Sequence, residues 1–232
     1  MPNSIQALLF DLDDTLYSRN TAFRSWILAF ARDELGFAED DPCYQATVER
    51  IIELDAWGYT SRKTVFSAIK EARTPALEDS VEQLIETYQR RFLDHMYPEP
   101  GTQRLITAIQ SANIPFGIIT NGATTRQFNK IRALGLDKLT TCIFISEQFG
   151  YEKPAATIFL TAANCLGHEP QNILFVGDNP SKDIWGAQQV GMHTAWLHHD
   201  RAWPTDLIET QPDYTISDLG ELCSLLALSE AS

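Results

Sequence analysis

A chain of 232 residues, 44% of them hydrophobic, can bury one sizeable domain with an insertion, or two small domains. Its net charge of −13 disfavours nucleic acids and anionic membrane surfaces as partners. No apolar run approaches the roughly 20 residues that cross a bilayer, and residues 1–6 lack the basic segment of a signal peptide. We therefore expect a cytoplasmic protein, monomeric or homodimeric, that binds neither membrane nor nucleic acid.

Residues 8–17, LLFDLDDTLY, combine an apolar run with carboxylates at Asp11, Asp13 and Asp14. The nearly continuous apolar run over 5–10 predicts a strand buried on both faces of a parallel sheet. Asp11 then stands at the carboxyl end of this strand, where open α/β sheets bind their ligands. Side chains of alternate residues share one side of extended backbone, so Asp11 and Asp13 would face one small volume.

Two carboxylates this close repel each other unless a cation neutralises them or one of them holds a proton. A metal ion is the simplest remedy. The alternative is that Asp13-Asp14-Thr15 forms only a turn followed by a helix cap, because Asp and Thr are common at both.

An all-helical insertion is predicted after the first strand. Apolar residues recur at helical spacing in four segments, Thr21–Leu35, Tyr44–Leu54, Lys63–Ala72 and Leu77–Met96. The stretch Tyr97-Pro98-Glu99-Pro100-Gly101 then predicts a stiff, hinge-like return. We interpret residues 18–97 as a cap.

Strands and helices alternate in the remainder of the chain. Buried strands are predicted at Phe116–Thr120, Thr141–Ser146, Ile173–Val176 and Thr194–Leu197. Helices are predicted at Thr102–Ser111, Thr124–Leu134, Ala155–Leu166, Ile184–Val190 and Leu219–Leu226. This alternation predicts an α/β fold with a doubly wound, Rossmann-like parallel sheet. The predicted domains are a catalytic core at 1–17 and 98–232 and a helical cap at 18–97.

Polar residues recur beside the later strands. Thr120 and Asn121 end the strand FGIIT, where a hydroxyl and free backbone N–H groups suit an anion. Lys153 precedes a predicted helix, and Asp178 and Asp183 follow another buried strand. Singly, these stretches have ordinary alternatives: an Asn-Gly turn, a solvated lysine and a structural loop. Together they supply a nucleophile, an acid/base, a metal site and an anion clamp, which are the components of phosphoryl transfer.

The sequence clearly resembles the haloacid dehalogenase-like superfamily, and within it the phosphatases. FDLDDT is similar to the family's DxDxT motif, IITNG to its threonine motif, EKP to its lysine motif and GDNPSKD to its acidic motif. The motifs occur in the family's order, and the helical insertion resembles the family's helical cap. This resemblance covers the chain from Leu8 to about Gly191.

The resemblance implies that Asp11 attacks phosphorus, and that Asp13 protonates the leaving alcohol and then activates water. It also implies a Mg²⁺ ion held by the carboxylates of Asp11 and Asp178 and by the backbone carbonyl of Asp13. The implied substrate is a small phosphorylated metabolite, such as a nucleotide, phosphoglycolate or a sugar phosphate.

The remaining implied roles concern the phosphoryl group and the residues around it. Thr120, the Asn121 backbone and Lys153 would bind the phosphoryl oxygens and offset their growing charge. Asp183 and Asn179 would orient the groups that contact metal and substrate.

Other activities on the same fold stay open. A 2-haloacid dehalogenase would need no proton for its leaving group, so Asp13 and Asp178 favour the phosphatase. A phosphosugar mutase would return the phosphoryl group to a second hydroxyl. A non-catalytic phosphate-binding protein would keep the fold without turnover, and no missing motif position favours it.

Two expectations concern smaller features. Residues 56–63, with the aromatics Trp57 and Tyr59 and the cations Arg62 and Lys63, form a candidate substrate-selecting loop; the alternative is packing between cap helices. The cysteines are far apart and include no CxxC pair, which favours structural thiols over a metal site or a disulfide.

Overall fold

The computed structural model describes residues 5–38, 40–58, 60–72, 78–207 and 210–228, without the side chains of residues 57 and 72. The strands in these ranges are β1 (Ala7–Phe10), β2 (Phe116–Thr120), β3 (Ile143–Ile145), β4 (Ile173–Gly177), β5 (His193–Leu197) and β6 (Tyr214–Ile216). The α-helices there are α1 (Arg19–Asp33), α2 (Pro42–Asp55), α3 (Arg62–Ala72), α4 (Val81–Arg91), α5 (Pro100–Ser111), α6 (Thr124–Ala133), α7 (Ser146–Phe149), α8 (Ala156–Leu166), α9 (Gly186–Gln188) and α10 (Glu221–Leu225). The chain divides into two compact units, Arg19–Tyr97 and the combination of Met1–Ser18 with Pro98–Ser232.

The combined unit is built on a parallel sheet in the order β3-β2-β1-β4-β5-β6. All four residues of β1 are fully buried, as the continuous apolar run predicts for a central strand. β1 pairs with β2 on one side and β4 on the other, so the direction of winding reverses at this strand. Ligands bind beyond the carboxyl ends of strands at such a reversal. The predicted doubly wound α/β fold is confirmed.

One face of this sheet is covered by α8. The ring of Phe159 on α8 meets the ring of Phe175 on β4 edge to face, with centroids 5.1 Å apart. Leu9 of β1 and Ile119 of β2 belong to the same apolar cluster. This packing fixes the segment that leads into α8 relative to the central strands.

Several element boundaries differ from the sequence-based expectation. The sequence pattern does not predict the strand β6, because this strand has only three residues and only Ile216 is buried. The predicted helix over 184–190 is instead a π-helical turn, Pro180–Trp185, followed by the short α9. Ser146, expected to end β3, begins α7. An element of only a few residues shows too little hydrophobic periodicity to be predicted from the sequence.

The unit Arg19–Tyr97 contains α1 to α4, with an aromatic core of its own. Asp41 caps α2 by accepting a hydrogen bond from the backbone N–H of Cys43, and Ser80 forms a capping box with Gln83 at the start of α4. The helix predicted over 77–96 ends earlier, at Arg91, and continues as a 3₁₀ turn. The aromatic core consists of Phe23, Trp26, Phe30, Phe66, Tyr88 and Phe92. No helix of the described residues has the length and apolar character needed to cross a membrane.

A buried charge cluster joins three helices of this unit. Asp55 is 1% exposed and accepts hydrogen bonds from Arg19 at 2.6 and 2.9 Å and from Arg62. Both guanidinium groups also stack over the ring of Phe23. Arg62, expected to belong to a substrate-selecting loop, therefore contacts a carboxylate of its own chain. The side chains of Trp57 and Tyr59 lie outside the described residues.

Cys142 and Cys165 form a disulfide, so the expectation of structural thiols is wrong for this pair. The two cysteines are 23 residues apart, and this spacing does not indicate a disulfide in the sequence. The fold places α8 beside the segment leading into β3 and brings the two Cα atoms to 6.0 Å, within the usual range for a disulfide.

We expect Asp55→Ala to lower the free energy of unfolding by about 3–5 kcal/mol, because it leaves two buried guanidinium groups without a carboxylate. Urea unfolding followed by tryptophan fluorescence measures the change. Glu49→Ala is the matched control, since it breaks the solvent-exposed ion pair with Arg24 in the same unit. Similar unfolding midpoints for the two variants would contradict a buried cluster at Asp55.

Loss of the disulfide should lower the free energy of unfolding by about 3 kcal/mol, since the bond closes a loop of 23 residues in the unfolded chain. The comparison is the urea midpoint of the wild type and Cys165→Ser, each with and without dithiothreitol. Cys165→Ser should not respond to the reductant, whereas the wild type and Cys43→Ser, which changes an exposed free cysteine, should both respond. A wild-type midpoint that is insensitive to reduction would show that the bond contributes no stability.

Candidate active site

Lys153 joins two aspartates that follow different strands. Its Nζ lies 2.5 Å from Asp11 Oδ1 and 2.6 Å from Asp183 Oδ1, and its side chain is 2% exposed. Asp11 directly follows β1, and Asp183 lies in the π-helical turn after β4. Gly177 makes room for Asp183, because a Cβ atom at position 177 would lie 2.5 Å from the Asp183 carboxylate. Removing Lys153 would leave both buried carboxylates without their cation.

Asp178 is held by two donors from the segment around β5. The Nη2 atom of Arg201 donates to Asp178 Oδ2 at 2.9 Å and to its carbonyl oxygen at 2.8 Å. Trp196 Nε1 donates to the same carbonyl at 2.9 Å. These contacts fix the carboxylate beside the end of β4.

The carboxylates of Asp11, Asp178 and Asp183 offer oxygen atoms that all lie within 4.8 Å of one another. Asp183 forms an ion pair with Lys153 at one oxygen and accepts a hydrogen bond from the backbone N–H of Asn179 at the other, at 2.9 Å. Asp11 likewise contacts Lys153 at one oxygen and accepts a hydrogen bond from the Thr15 hydroxyl at the other, at 3.3 Å. The three carboxylates together form the candidate metal site. Hard carboxylate oxygens are the ligands that Mg²⁺ prefers, so the donor set fits such an ion.

The acid–base properties of this cluster reflect an excess of negative charge. Burial, together with repulsion from Asp183 and Asp13, raises the pKa of Asp11 to about 7 even though Lys153 opposes the shift. Burial and the charges of Asp11 and Asp183 likewise raise the pKa of Asp178 well above its usual range, against the effect of Arg201. Added positive charge at this point would favour the ionised carboxylates.

Asp13 lies in different surroundings from Asp11. Its Oδ1 accepts hydrogen bonds from Lys130 Nζ at 2.5 Å and from the Tyr17 hydroxyl, and its Oδ2 accepts from Gln127 Nε2 at 2.7 Å. Burial alone would raise the pKa of Asp13, but the Lys130 ammonium and the three hydrogen bonds lower it to about 2. Asp13 is thus an ionised carboxylate in a polar setting.

Thr120 ends β2 beside these groups, and Asn121 directly follows it. Thr120 Oγ1 accepts a hydrogen bond from Gln127 Nε2 at 2.6 Å. The Asn121 side chain donates to the Lys153 carbonyl at 2.9 Å and accepts from the Lys153 N–H at 2.8 Å. The Asn121 side chain therefore holds the backbone of Lys153, a role that the sequence did not indicate.

A known protein family matches most of this chain. The haloacid dehalogenase-like hydrolase pattern matches residues 8–197, a range that includes every aspartate described above. The chain belongs to the haloacid dehalogenase-like hydrolase family.

Two relatives of this hydrolase are phosphatases. Ribulose-1,5-bisphosphate 5-phosphatase of Halopiger xanaduensis is 31% identical, over 95% of this chain and 99% of its own length. Pyrimidine 5'-nucleotidase YjjG of Escherichia coli is 30% identical, over 94% of this chain and 96% of its own. The solved structure of the hydrolase YfnB from Bacillus subtilis, bound to magnesium, has a TM-score of 0.69 and 26% identity, covering 97% and 100% of the two chains. The predicted family and its phosphatase branch are confirmed.

The structure places the eight predicted site residues of this hydrolase in three groups. The first group is the ion cluster of Asp11, Lys153, Asp178 and Asp183. The second group is Asp13 and Thr120, which are linked through Gln127. The third group is Asn121 and Asn179, which support Lys153 and Asp183. Asn179 also caps the π-helical turn by accepting a hydrogen bond from the Lys182 N–H at 3.0 Å.

Four residues at the site were not singled out from the sequence. Gln127 and Lys130 lie three residues apart on α6, directly after the threonine motif, and that helical spacing was an available signal. Tyr17 lies only four residues from Asp13. Arg201 carries no comparable signal, because it is 23 residues from Asp178 and meets it only through the fold.

Proposed function

We propose that this hydrolase is a Mg²⁺-dependent phosphatase that cleaves a small phosphate monoester through an aspartyl-phosphate on Asp11, with Asp13 as general acid and base. The substrate is a small phosphorylated metabolite, in keeping with the relatives' names. The unit Arg19–Tyr97 is its proposed cap. Other members of the family act on carbon–halogen bonds, a reaction that would not require Asp13.

The proposal rests chiefly on the contrast between Asp11 and Asp13. The two carboxylates are two residues apart, yet Asp11 contacts Lys153 whereas Asp13 contacts Lys130 and Gln127. A nucleophile and a separate acid/base need such independent surroundings, because one must bond to phosphorus while the other exchanges a proton.

The charges of substrate and metal would act on the two aspartates in opposite ways. A bound phosphoryl group brings negative charge close to Asp13 and raises its pKa from the low value of the ligand-free site, which favours a proton on the acid. When bound, Mg²⁺ would supply positive charge at Asp11 and Asp178 and favour an ionised nucleophile. The carboxylates of Asp11 and Asp178 and the carbonyl of Asp13 are its proposed ligands.

The proposed hydrogen-bond donors to the phosphoryl oxygens include the side chains of Lys153 and Thr120. The Lys153 ammonium lies beside Asp11, where the transferred group would sit. The Thr120 hydroxyl ends β2 and is buried at 1% exposure. With the backbone N–H of Asn121, these donors would offset charge on the oxygens in the transition state.

The variants Asp11→Asn and Asp13→Asn should lose different steps of the reaction. Asp11→Asn removes the nucleophile, so turnover should fall to near background and no covalent intermediate should form. Asp13→Asn keeps the nucleophile but loses proton transfer, so an alkyl phosphate should be cleaved about 10²–10⁴-fold more slowly. An aryl phosphate needs less help in the first step, so phosphorylated Asp11 should accumulate in Asp13→Asn.

The measurement is acid quenching after incubation with 4-nitrophenyl phosphate, followed by mass spectrometry to locate the phosphoryl group. Asp137→Asn, at a surface turn after α6, is a control for loss of one carboxylate. Phosphorylation of Asp11→Asn at another residue, or wild-type turnover by either active-site variant, would overturn the assigned roles.

Removal of Mg²⁺ with excess chelator should abolish phosphate release, and added Mg²⁺ should restore it. Calcium should restore much less, because its looser coordination misplaces the nucleophile relative to phosphorus. Rates over a titration of each metal test this. Full turnover in chelator would remove the metal from the proposal.

A further inference from the structure

We propose that Gln127 and Lys130 are positioning residues that aim the Asp13 carboxylate and tie it to the Thr120 hydroxyl. This inference rests on the proposed phosphatase function and adds to it two residues of one helix. Both lie on α6, and the side chains of residues three apart share one face of a helix.

Lys130 and Gln127 bind different oxygens of Asp13. Oδ1 accepts from Lys130 Nζ and from the Tyr17 hydroxyl, whereas Oδ2 accepts from Gln127 Nε2. A carboxylate oxygen has two lone-pair directions, so the two donors occupy those of Oδ1. Oδ2 keeps one direction open, and the geometry assigns to it the proton that passes to the leaving oxygen and later comes from water.

Gln127 links Asp13 to the residue that ends β2. Its Nε2 atom lies 2.7 Å from Asp13 Oδ2 and 2.6 Å from Thr120 Oγ1, and the amide has two N–H bonds to give. An ionised carboxylate only accepts, so the nitrogen must face Asp13. Because Thr120 Oγ1 accepts from Gln127, its own O–H is directed elsewhere and can donate to a phosphoryl oxygen.

The position of Gln127 is fixed by its neighbours. It is 1% exposed, and a Cβ atom at position 122 would lie 3.1 Å from its Cγ. Gly122 also has a φ of +142°, which favours glycine. The Asn-Gly pair after β2 therefore leaves space for the amide that links Asp13 and Thr120.

Such positioning has a kinetic consequence. A displacement of about 1 Å in a catalytic group can cost on the order of 100-fold in rate. Freed from Lys130, Asp13 should transfer protons poorly, while Asp11 and its contact with Lys153 remain unchanged. The defect should therefore depend on how much protonation the leaving group requires.

The test compares Lys130→Met, Lys130→Arg and Gln127→Met on glycerol phosphate and 4-nitrophenyl phosphate. For Lys130→Met we expect kcat on the alkyl ester to fall about 10- to 100-fold with KM within about threefold. The initial burst of 4-nitrophenol should stay within about threefold of the wild-type rate, followed by slower turnover. Lys130→Arg should recover part of the loss, and Gln127→Met should also raise KM because Thr120 loses its partner.

Arg132→Met is the matched control, because it removes a positive charge from the same helix at a side chain 64% exposed. It should leave both substrates unaffected. Equal losses on the alkyl and aryl esters, or a burst that slows as much as turnover, would overturn the positioning role and leave the phosphatase proposal standing. Failure of the wild type to cleave either ester would overturn both.

Discussion

The buried contact of Lys153 with Asp11 and Asp183 is the interaction on which the rest of the site depends. It joins the end of β1 to the turn after β4, and the Asn121 side chain holds the lysine backbone from the end of β2. Since an unpaired charge in this position is costly, the three strand ends are held in one arrangement. The central position of β1 in the sheet makes that arrangement possible.

Asp13 has different hydrogen-bond partners from this cluster, although it lies only two residues from Asp11. Lys153 serves Asp11, whereas Lys130 and Gln127 on α6 serve Asp13. The protein thus gives each carboxylate its own cation. This division is what the different roles proposed for the two neighbouring aspartates would require.

The helical unit Arg19–Tyr97 also pairs a buried carboxylate with cations, here in its structural core. Asp55 is surrounded by Arg19 and Arg62, and the flat guanidinium groups also cover the aromatic ring of Phe23. Planar cations can satisfy a buried carboxylate and pack against a ring at once. Arg62 was expected to face substrate because a loop cation normally lies in solvent, and the sequence does not show which carboxylate folds against it.

The sequence by itself determined the alternation of strands and helices, the buried central strand and the motif aspartates, because these depend on local periodicity and short-range spacing. It also placed Thr120 and Asp178 at strand ends and Lys153 before a helix. Only the tertiary structure decided that Lys130 contacts Asp13, that Arg201 contacts Asp178 and that Cys142 bonds to Cys165. Those pairs are separated by 117, 23 and 23 residues, and a contact between distant residues is set by how elements pack rather than by any local pattern.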